Sequence, residues 1–369
     1  MNRRFEALDA FRGICAISVV IFHMHFVNSI TELDFFRGSA LFVQFFFVLS
    51  GFVLANGYST KENMSFKTFM KARFYRIYPL HICMLIVFIV FETCKFIAYK
   101  FVGISFNGIP FTNSTAITEI LPNLLLIQSW SHFTNPLSFN YPSWSISIEF
   151  YMYALLCLTI IICKSKKNLA WLYISFIAFL LIYFKSAILV NTVLKGLFCF
   201  FSGALTYSFF KKISHLRLSF EFATVIEALI LFSIILVISS DSVNRYLIAP
   251  LLFIFTVLFF SFEAGLISKI LKIKLFQTAG KLSYSIYMTH AAILFFLTSI
   301  GLVLQKVTGE NIAPMINSQR YLDFGGGLVN NTFILLTLTL IIYTSKVTYN
   351  IVELKGIRLN SKAKSDMKK

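Results

Sequence analysis

Runs of apolar residues separated by short polar segments recur along the whole chain. A helix needs about 20 such residues to cross the hydrocarbon core of a membrane. The pattern predicts ten transmembrane helices, at residues 11–28, 40–58, 79–99, 144–163, 169–186, 188–209, 222–240, 246–262, 284–304 and 328–346. We therefore expect an all-α integral membrane protein.

Composition points the same way. Of the 369 residues, 57% are hydrophobic and 13% are charged, and the mean hydropathy is +0.77. A soluble protein cannot bury that much apolar surface. No long polar block interrupts the pattern, so we predict one transmembrane domain over residues 1–350 and a solvated basic cytoplasmic tail over 351–369. The first apolar run lacks a small-residue cleavage site and is retained as the first span.

The net charge of +17 raises the question of a nucleic-acid partner, but its distribution argues against one. With the N-terminus in the cytoplasm, most of the 33 lysines and arginines fall in cytoplasmic loops between the predicted helices. This is the positive-inside pattern, so topology explains the charge and both termini are predicted to be cytoplasmic. Membrane lipids are the expected surroundings, and the formation of a homo-oligomer is left open.

Two predicted outer loops are long, at residues 100–143 and 305–327. The first contains an apolar piece, residues 117–130, that is too short to span and is expected to be re-entrant or to lie flat on the membrane. Either loop could cover an opening on the outer side.

His23 lies deep in the first span, and Arg12 lies at the cytoplasmic end of the same span. Eleven residues of helix turn through about 1100°, which places His23 within about 20° of Arg12 and about 16 Å farther along the same face. An ionisable group at that depth costs a few kcal/mol unless it faces protein or a wet cavity. His23 is therefore the first candidate for chemistry.

Glu149 lies roughly a turn and a half into the fourth span, at a depth comparable to that of His23. Together they could form an acid–base pair, in which the carboxylate orients the imidazole that deprotonates a hydroxyl. The alternative is a buried structural pair that joins two helices.

Arg73 and Arg76 precede the third span and lie at the same membrane level as Arg12 and Asp9. Guanidinium groups at a protein–water boundary suit phosphate, which they bind bidentately. Ordinary positive-inside anchoring also explains these arginines, with Pro79 at the start of the helix.

Other polar residues within the spans have two interpretations each. Ser283, Tyr287 and His290 share one helix face, where they line a cavity or bond neighbouring helices. Ser50, beside Gly51, marks close helix packing or a kink beside a cavity. No cluster has the spacing of a metal site, so no metal is expected.

Five stretches, taken together, resemble the membrane-bound acyltransferase family 3: LDAFRG with His23 downstream, FFVLSGF, RFYRIYP, WSISIEFYMY and LSYSIYMTH. The resemblance spans nearly the whole chain and implies a ten-helix membrane fold. Phe150 departs from it, since many members carry a second acidic residue there. The resemblance implies a catalytic role for His23 and acyl-CoA binding by Arg12, Arg73 and Arg76, and it matches Glu149 to a family glutamate. We further predict that Glu149 and Asp9 take part in catalysis and that a cavity is lined by Ser50, Trp144, Tyr287 and His290.

The implied activity is O-acyl transfer in the bacterial cytoplasmic (inner) membrane. Acetyl-CoA would be the donor and a carbohydrate the acceptor, such as lipopolysaccharide O-antigen, capsule or exopolysaccharide, whether lipid-linked or free. Many members also carry a hydrolase-like domain outside the cytoplasm; here the sequence ends soon after the tenth predicted helix, so transfer is expected within the membrane domain or with a partner. A multi-pass transporter or flippase-like protein for a polar or lipid-linked substrate is the alternative, because it also explains buried His, Glu and Arg side chains.

Overall fold

The computed structural model describes residues 3–61, 63–102 and 108–366. Most of the described chain is helical. The helices are α1 (Glu6–His23), α2 (Asp34–Gly38), α3 (Phe42–Tyr58), α4 (Phe66–Ile97), α5 (Ile120–Leu124), α6 (Ser143–Cys163), α7 (Lys167–Tyr183), α8 (Asn191–Ile213), α9 (Phe220–Ser239), α10 (Arg245–Phe260), α11 (Leu266–Leu271), α12 (Lys274–Thr308), α13 (Gly327–Thr348) and α14 (Leu354–Asp366). Two short strands in the described ranges, β1 (Met315–Ile316) and β2 (Gln319–Arg320), pair as an antiparallel hairpin.

Seven described segments are long and apolar enough to cross a membrane: Asp34–Tyr58, Phe66–Phe101, Ser143–Tyr183, Asn191–Ile213, Phe220–Ser239, Lys274–Thr308 and Gly327–Asn360. The predicted all-α, multi-pass membrane protein is thereby confirmed. The number of ten spans and the cytoplasmic position of both termini stay predictions. Helix α10 is a shorter apolar helix, and α1 carries charged residues in its first two turns.

The prediction that the third helix starts at Pro79 is wrong, because α4 begins at Phe66 and contains Pro79. A proline inside a helix leaves the carbonyl four residues earlier, here that of Tyr75, without its helical donor. Gly356 lies directly against this carbonyl, and a Cβ atom at Gly356 would be 2.3 Å from the Tyr75 oxygen. The part of α4 around Pro79 and the start of α14 thus pack closely together, at a place where the sequence predicts a solvated tail.

The stretch 117–130, in the first of the two long loops, forms a 3₁₀ turn, Ile117–Glu119, followed by the five-residue helix α5. Its buried Asn123 holds this loop in place. The Asn123 amide donates to Ser138 Oγ over 2.7 Å, and its backbone carbonyl lies 2.9 Å from His81 Nε2.

In the second long loop, a hydrogen bond from Asn330 holds the pKa of Asp323 below its usual value.

Contacts divide the chain into two units. The first unit comprises Met1–Ser18, Gly38–Arg73 and Ile148–Ser283, and the second comprises Val19–Arg37, Phe74–Ser147 and Tyr284–Lys369.

In the first unit, α3 and α8 touch through their backbones. A Cβ atom at Gly51 would lie 1.8 Å from the Phe200 carbonyl oxygen, and one at Gly203 would lie 1.9 Å from that of Val48. Gly51 therefore serves close helix packing, one of its two predicted roles.

Glu227, buried in the middle of α9, holds the N-terminal end of α11 in the first unit. Its carboxylate accepts hydrogen bonds from the backbone N–H groups of Gly265 (3.1 Å) and Ser268 (3.0 Å) and from the Ser268 hydroxyl (2.5 Å). A buried donor that loses its acceptor costs about 1–3 kcal/mol. Here one side chain satisfies three such donors.

We therefore expect Glu227→Ala to lower the thermal unfolding temperature of the detergent-solubilised protein by several degrees or to reduce its level in the membrane. Glu221→Ala, in the same helix but exposed, is the matched control and should unfold like the wild type. Equal unfolding temperatures for Glu227→Ala and the control would show that this cap does not stabilise the fold.

Candidate functional site

His23 is the last residue of α1, and in the second unit it lies in a cluster of aromatic and imidazole rings. Its ring centroid is 4.6 Å from that of Tyr141 and 5.3 Å from that of His290, against which it stacks. His23 is half-buried, whereas His290 is fully buried at 0% exposure. Of the two histidines in this cluster, His23 is thus the more exposed residue.

His290 and Tyr287, both on α12, make different contacts. His290 Nδ1 lies 3.3 Å from the Ile286 carbonyl, an acceptor to which a protonated Nδ1 donates. His290 Nε2 is buried with no hydrogen-bond partner in the described part of the chain. The Tyr287 hydroxyl lies 3.0 Å from Ser145 Oγ, so Tyr287 bonds a neighbouring helix and His290 packs against His23.

Arg37 closes the end of α1. Its Nη2 donates to the carbonyls of Ile21 (3.1 Å) and Met24 (2.7 Å), and its Nη1 lies 2.8 Å from His25 Nδ1. The last carbonyls of a helix have no intrahelical donor, and a cation there also interacts favourably with the helix dipole. Arg37 therefore fixes the backbone that carries His23.

If His23 is catalytic, as the sequence predicts, replacing Arg37 with Gln should lower the reaction rate about tenfold, because hydrogen bonds from a charged group are worth about 1.5–3 kcal/mol. The expected signature is a lower kcat with an unchanged KM for the donor. Arg217→Gln, at an exposed loop position, is the control. Wild-type kcat in Arg37→Gln would exclude this positioning role.

Glu149, in α6, lies in the first unit beside Ser50 of α3. The Ser50 hydroxyl donates to Glu149 Oε1, and the Tyr153 hydroxyl donates to the same oxygen over 2.6 Å. The Tyr153 and Ser50 oxygens are 3.4 Å apart. Ser50 is therefore a partner of Glu149, whereas the pairing of Glu149 with His23 stays a prediction.

The predicted donor-binding residues occupy several elements. Arg73 donates to the Tyr58 hydroxyl over 3.3 Å, and its guanidinium lies 5.7 Å from the ring centroids of Tyr58 and Phe69. Its Nε is buried with no hydrogen-bond partner among the described residues. Arg12 in α1 and Arg76 in α4 are half-buried.

The two remaining predicted site residues, Asp9 and Trp144, form an ion pair and a backbone hydrogen bond respectively. Asp9 forms an ion pair with Arg4 at 2.8 Å, and this contact raises the pKa of Arg4. The half-buried Trp144 accepts a hydrogen bond from the Ser129 hydroxyl at its backbone carbonyl, over 2.9 Å. The catalytic role of Asp9 and the cavity-lining role of Trp144 stay predictions.

Sequence reasoning missed Tyr141, Tyr153 and Arg37. A signal for Tyr153 exists, since it follows Glu149 by four residues and so shares its helix face. Tyr141 and Arg37 lie outside the long apolar runs, and the sequence contains no periodic pattern that links them to His23. Across the described chain there is no group of three or more His, Cys, Asp or Glu side chains suited to a metal ion.

Comparisons of the sequence with known proteins identify relatives of this chain. The chain is 34% identical to Acyltransferase MdmB of Streptomyces mycarofaciens over 164 residues, which are 41% of this chain and 38% of that protein. It is 39% identical to Protein 2 in the picA locus of Rhizobium radiobacter over 100 residues, which are 26% of this chain and 49% of that protein. Each alignment therefore spans less than half of the relative.

No solved structure matches the chain. The family model of the acyltransferase domain, by contrast, matches residues 5–345 and so includes every residue of the two clusters around His23 and Glu149. The chain belongs to the membrane-bound acyltransferase family 3.

Proposed function

We propose that the protein transfers an acyl group, expected to be acetyl, from acyl-CoA to a hydroxyl group of a cell-surface carbohydrate. O-antigen, capsule and exopolysaccharide are the acceptors that the family resemblance favours, and the bacterial cytoplasmic membrane is the proposed location. The observation that carries the proposal is the half-buried His23 at the end of α1, stacked on the fully buried His290.

His23 is proposed as the general base. Its imidazole accepts the proton of the acceptor hydroxyl while the hydroxyl oxygen forms a bond to the acyl carbon. The carbon–sulfur bond of the thioester then breaks, and the leaving thiolate takes the proton from the imidazolium. The products are an ester and free CoA, and no metal or redox partner is required for this balance.

The rings around His23 suit this role. Tyr141 and His290 hold the imidazole on two sides, and Arg37 fixes the end of its helix. A base that is already oriented loses little freedom when the substrate arrives.

Arginines on α1 and α4 are proposed to bind the phosphates of CoA. Arg73 supports this best, because its buried Nε has no partner among the described residues while its Nη2 is held by Tyr58. A planar guanidinium so fixed can donate to phosphate oxygens through its remaining N–H groups.

The proposal is tested with purified protein in lipid nanodiscs. Acetyl-CoA is added with and without a lipid-linked or free surface glycan, and released thiol is measured together with the mass of the glycan. Thiol release that depends on the glycan, and a glycan heavier by one acetyl group, are expected. Movement of a labelled glycan across vesicle membranes without any thiol release would favour a transporter instead.

A further inference from the structure

A cavity of 690 Å³ lies in the first unit, between the segment that follows α3 and the end of α6 with the following turn. Its polar lining comprises Ser59, Thr60, Lys61, Asn63, Lys164 and Lys167. Small-molecule sites commonly have volumes of about 300–1,000 Å³. The cavity is therefore large enough for a ligand of nucleotide size.

The charged side chains among the described residues that line this cavity are all basic. Lys61 reaches it from the α3 side, and Lys164 and Lys167 reach it from the turn between α6 and α7. None of the described residues that line it is a carboxylate. Three ammonium groups around one cavity repel one another, so an anion with several charged oxygens would lower their free energy.

Hydroxyl and amide side chains add specificity to this charge. Ser59, Thr60 and Asn63 contribute donors that can bond to phosphate oxygens. Lys167 Nζ already donates to the Lys164 carbonyl over 3.2 Å, which holds one ammonium group near the turn. A phosphorylated ligand fits this combination better than a carboxylate does, because it offers more acceptor oxygens.

Tyr58 connects the cavity to the arginine proposed to bind the donor. The Lys61 ammonium lies 4.4 Å from the centroid of the Tyr58 ring, and Arg73 donates to the hydroxyl of the same residue. Cationic groups thus follow one another from Lys164 to Arg73 within a single unit. A ligand with phosphates at separate points along its length could bind to both ends of this row.

We propose that the cavity binds the 3′-phosphorylated adenosine end of acyl-CoA, with Lys61, Lys164 and Lys167 around its phosphate. This inference rests on the proposed function and adds the site that distinguishes acyl-CoA from a donor without the 3′-phosphate. The positive-inside pattern alone does not explain why lysines gather around this cavity. Lys166 contributes to that pattern as much as Lys164 and Lys167 do, but it does not line the cavity.

The test uses the full-length protein in nanodiscs of neutral phosphatidylcholine. The double variant Lys164→Gln/Lys167→Gln is compared with Lys166→Gln, an exposed neighbour in the same turn. Binding of adenosine 3′,5′-bisphosphate is measured by calorimetry, and KM and kcat are measured with acetyl-CoA and with 3′-dephospho-acetyl-CoA. Neither variant changes a residue proposed to contact the thioester.

The double variant should bind adenosine 3′,5′-bisphosphate at least tenfold more weakly and show a comparably higher KM for acetyl-CoA. The kcat of the double variant, and its KM for 3′-dephospho-acetyl-CoA, should equal those of the wild type. Lys166→Gln should equal the wild type in bisphosphate binding, KM and kcat. This pattern would place the 3′-phosphate in the cavity.

Two results would overturn the assignment while leaving the proposed function intact. One is acetyl-CoA turnover with the same KM in the double variant and the wild type. The other is unchanged binding of adenosine 3′,5′-bisphosphate combined with loss of phosphatidylglycerol binding in nanodiscs that contain this lipid, which would make the cavity a lipid headgroup site. If the wild type releases no CoA and binds no bisphosphate, the proposed function fails together with this inference.

Discussion

The variant His23→Ala is expected to lose acyl transfer almost completely, with a rate at least about a hundredfold below that of the wild type. Removal of a general base costs about 10²–10⁴ in rate. Alanine also removes the ring that packs against Tyr141 and His290, but it leaves α1 intact because alanine favours helix. Thiol release from acetyl-CoA in nanodiscs measures the rate.

The matched control for this variant is His215→Ala, which removes an exposed loop histidine. The control should retain full activity, and both proteins should reach wild-type levels in the membrane. If His23→Ala transfers acyl groups at the wild-type rate, the base must be another group and the proposed mechanism is wrong.

The second large effect is expected from Glu149→Gln, with a fall in kcat of about a hundredfold. The substitution preserves shape but removes the negative charge that two hydroxyl groups now bond. An amide oxygen still accepts from Ser50 and Tyr153, so the fold should be little disturbed. Under the predicted pairing of Glu149 with His23, the variant loses the carboxylate that would orient or stabilise the protonated imidazole during transfer.

Tyr153→Phe provides the comparison for Glu149→Gln. It removes one hydrogen bond to the carboxylate, keeps the charge and should lower kcat by about tenfold or less. If Glu149→Gln retains wild-type kcat at an equal membrane level, Glu149 joins α3 to α6 and has no part in the chemistry. Equal losses in the two variants would likewise indicate a structural network.

Hydrophobic runs predicted the fold class well, because crossing a membrane requires long apolar helices whatever their neighbours are. They predicted the ends of these helices less well. Helix α4 begins thirteen residues before its predicted start, since the lysines and arginines of that stretch favour helix without being apolar. Pro79, taken as a helix start, lies inside α4, where the packing of Gly356 accommodates it.

The candidate site was only partly predictable. His23 and Glu149 are conspicuous because ionisable residues are rare within apolar helices. Tyr141 and Arg37 reach the His23 cluster only through tertiary packing, and no spacing in the sequence encodes that contact. Similarly, the lysines of the 690 Å³ cavity come from segments about a hundred residues apart, and each alone follows the positive-inside pattern.

The most direct test of the central claim follows a labelled acyl group. Acetyl-CoA labelled with ¹³C at the carbonyl is supplied to the cytoplasmic face of membrane vesicles that contain either the wild type or His23→Ala, and the surface glycan is examined by NMR. The proposed function predicts a labelled ester carbonyl on the glycan with the wild type and none with the variant. A glycan without labelled ester in both samples, or with equal label in both, would contradict it.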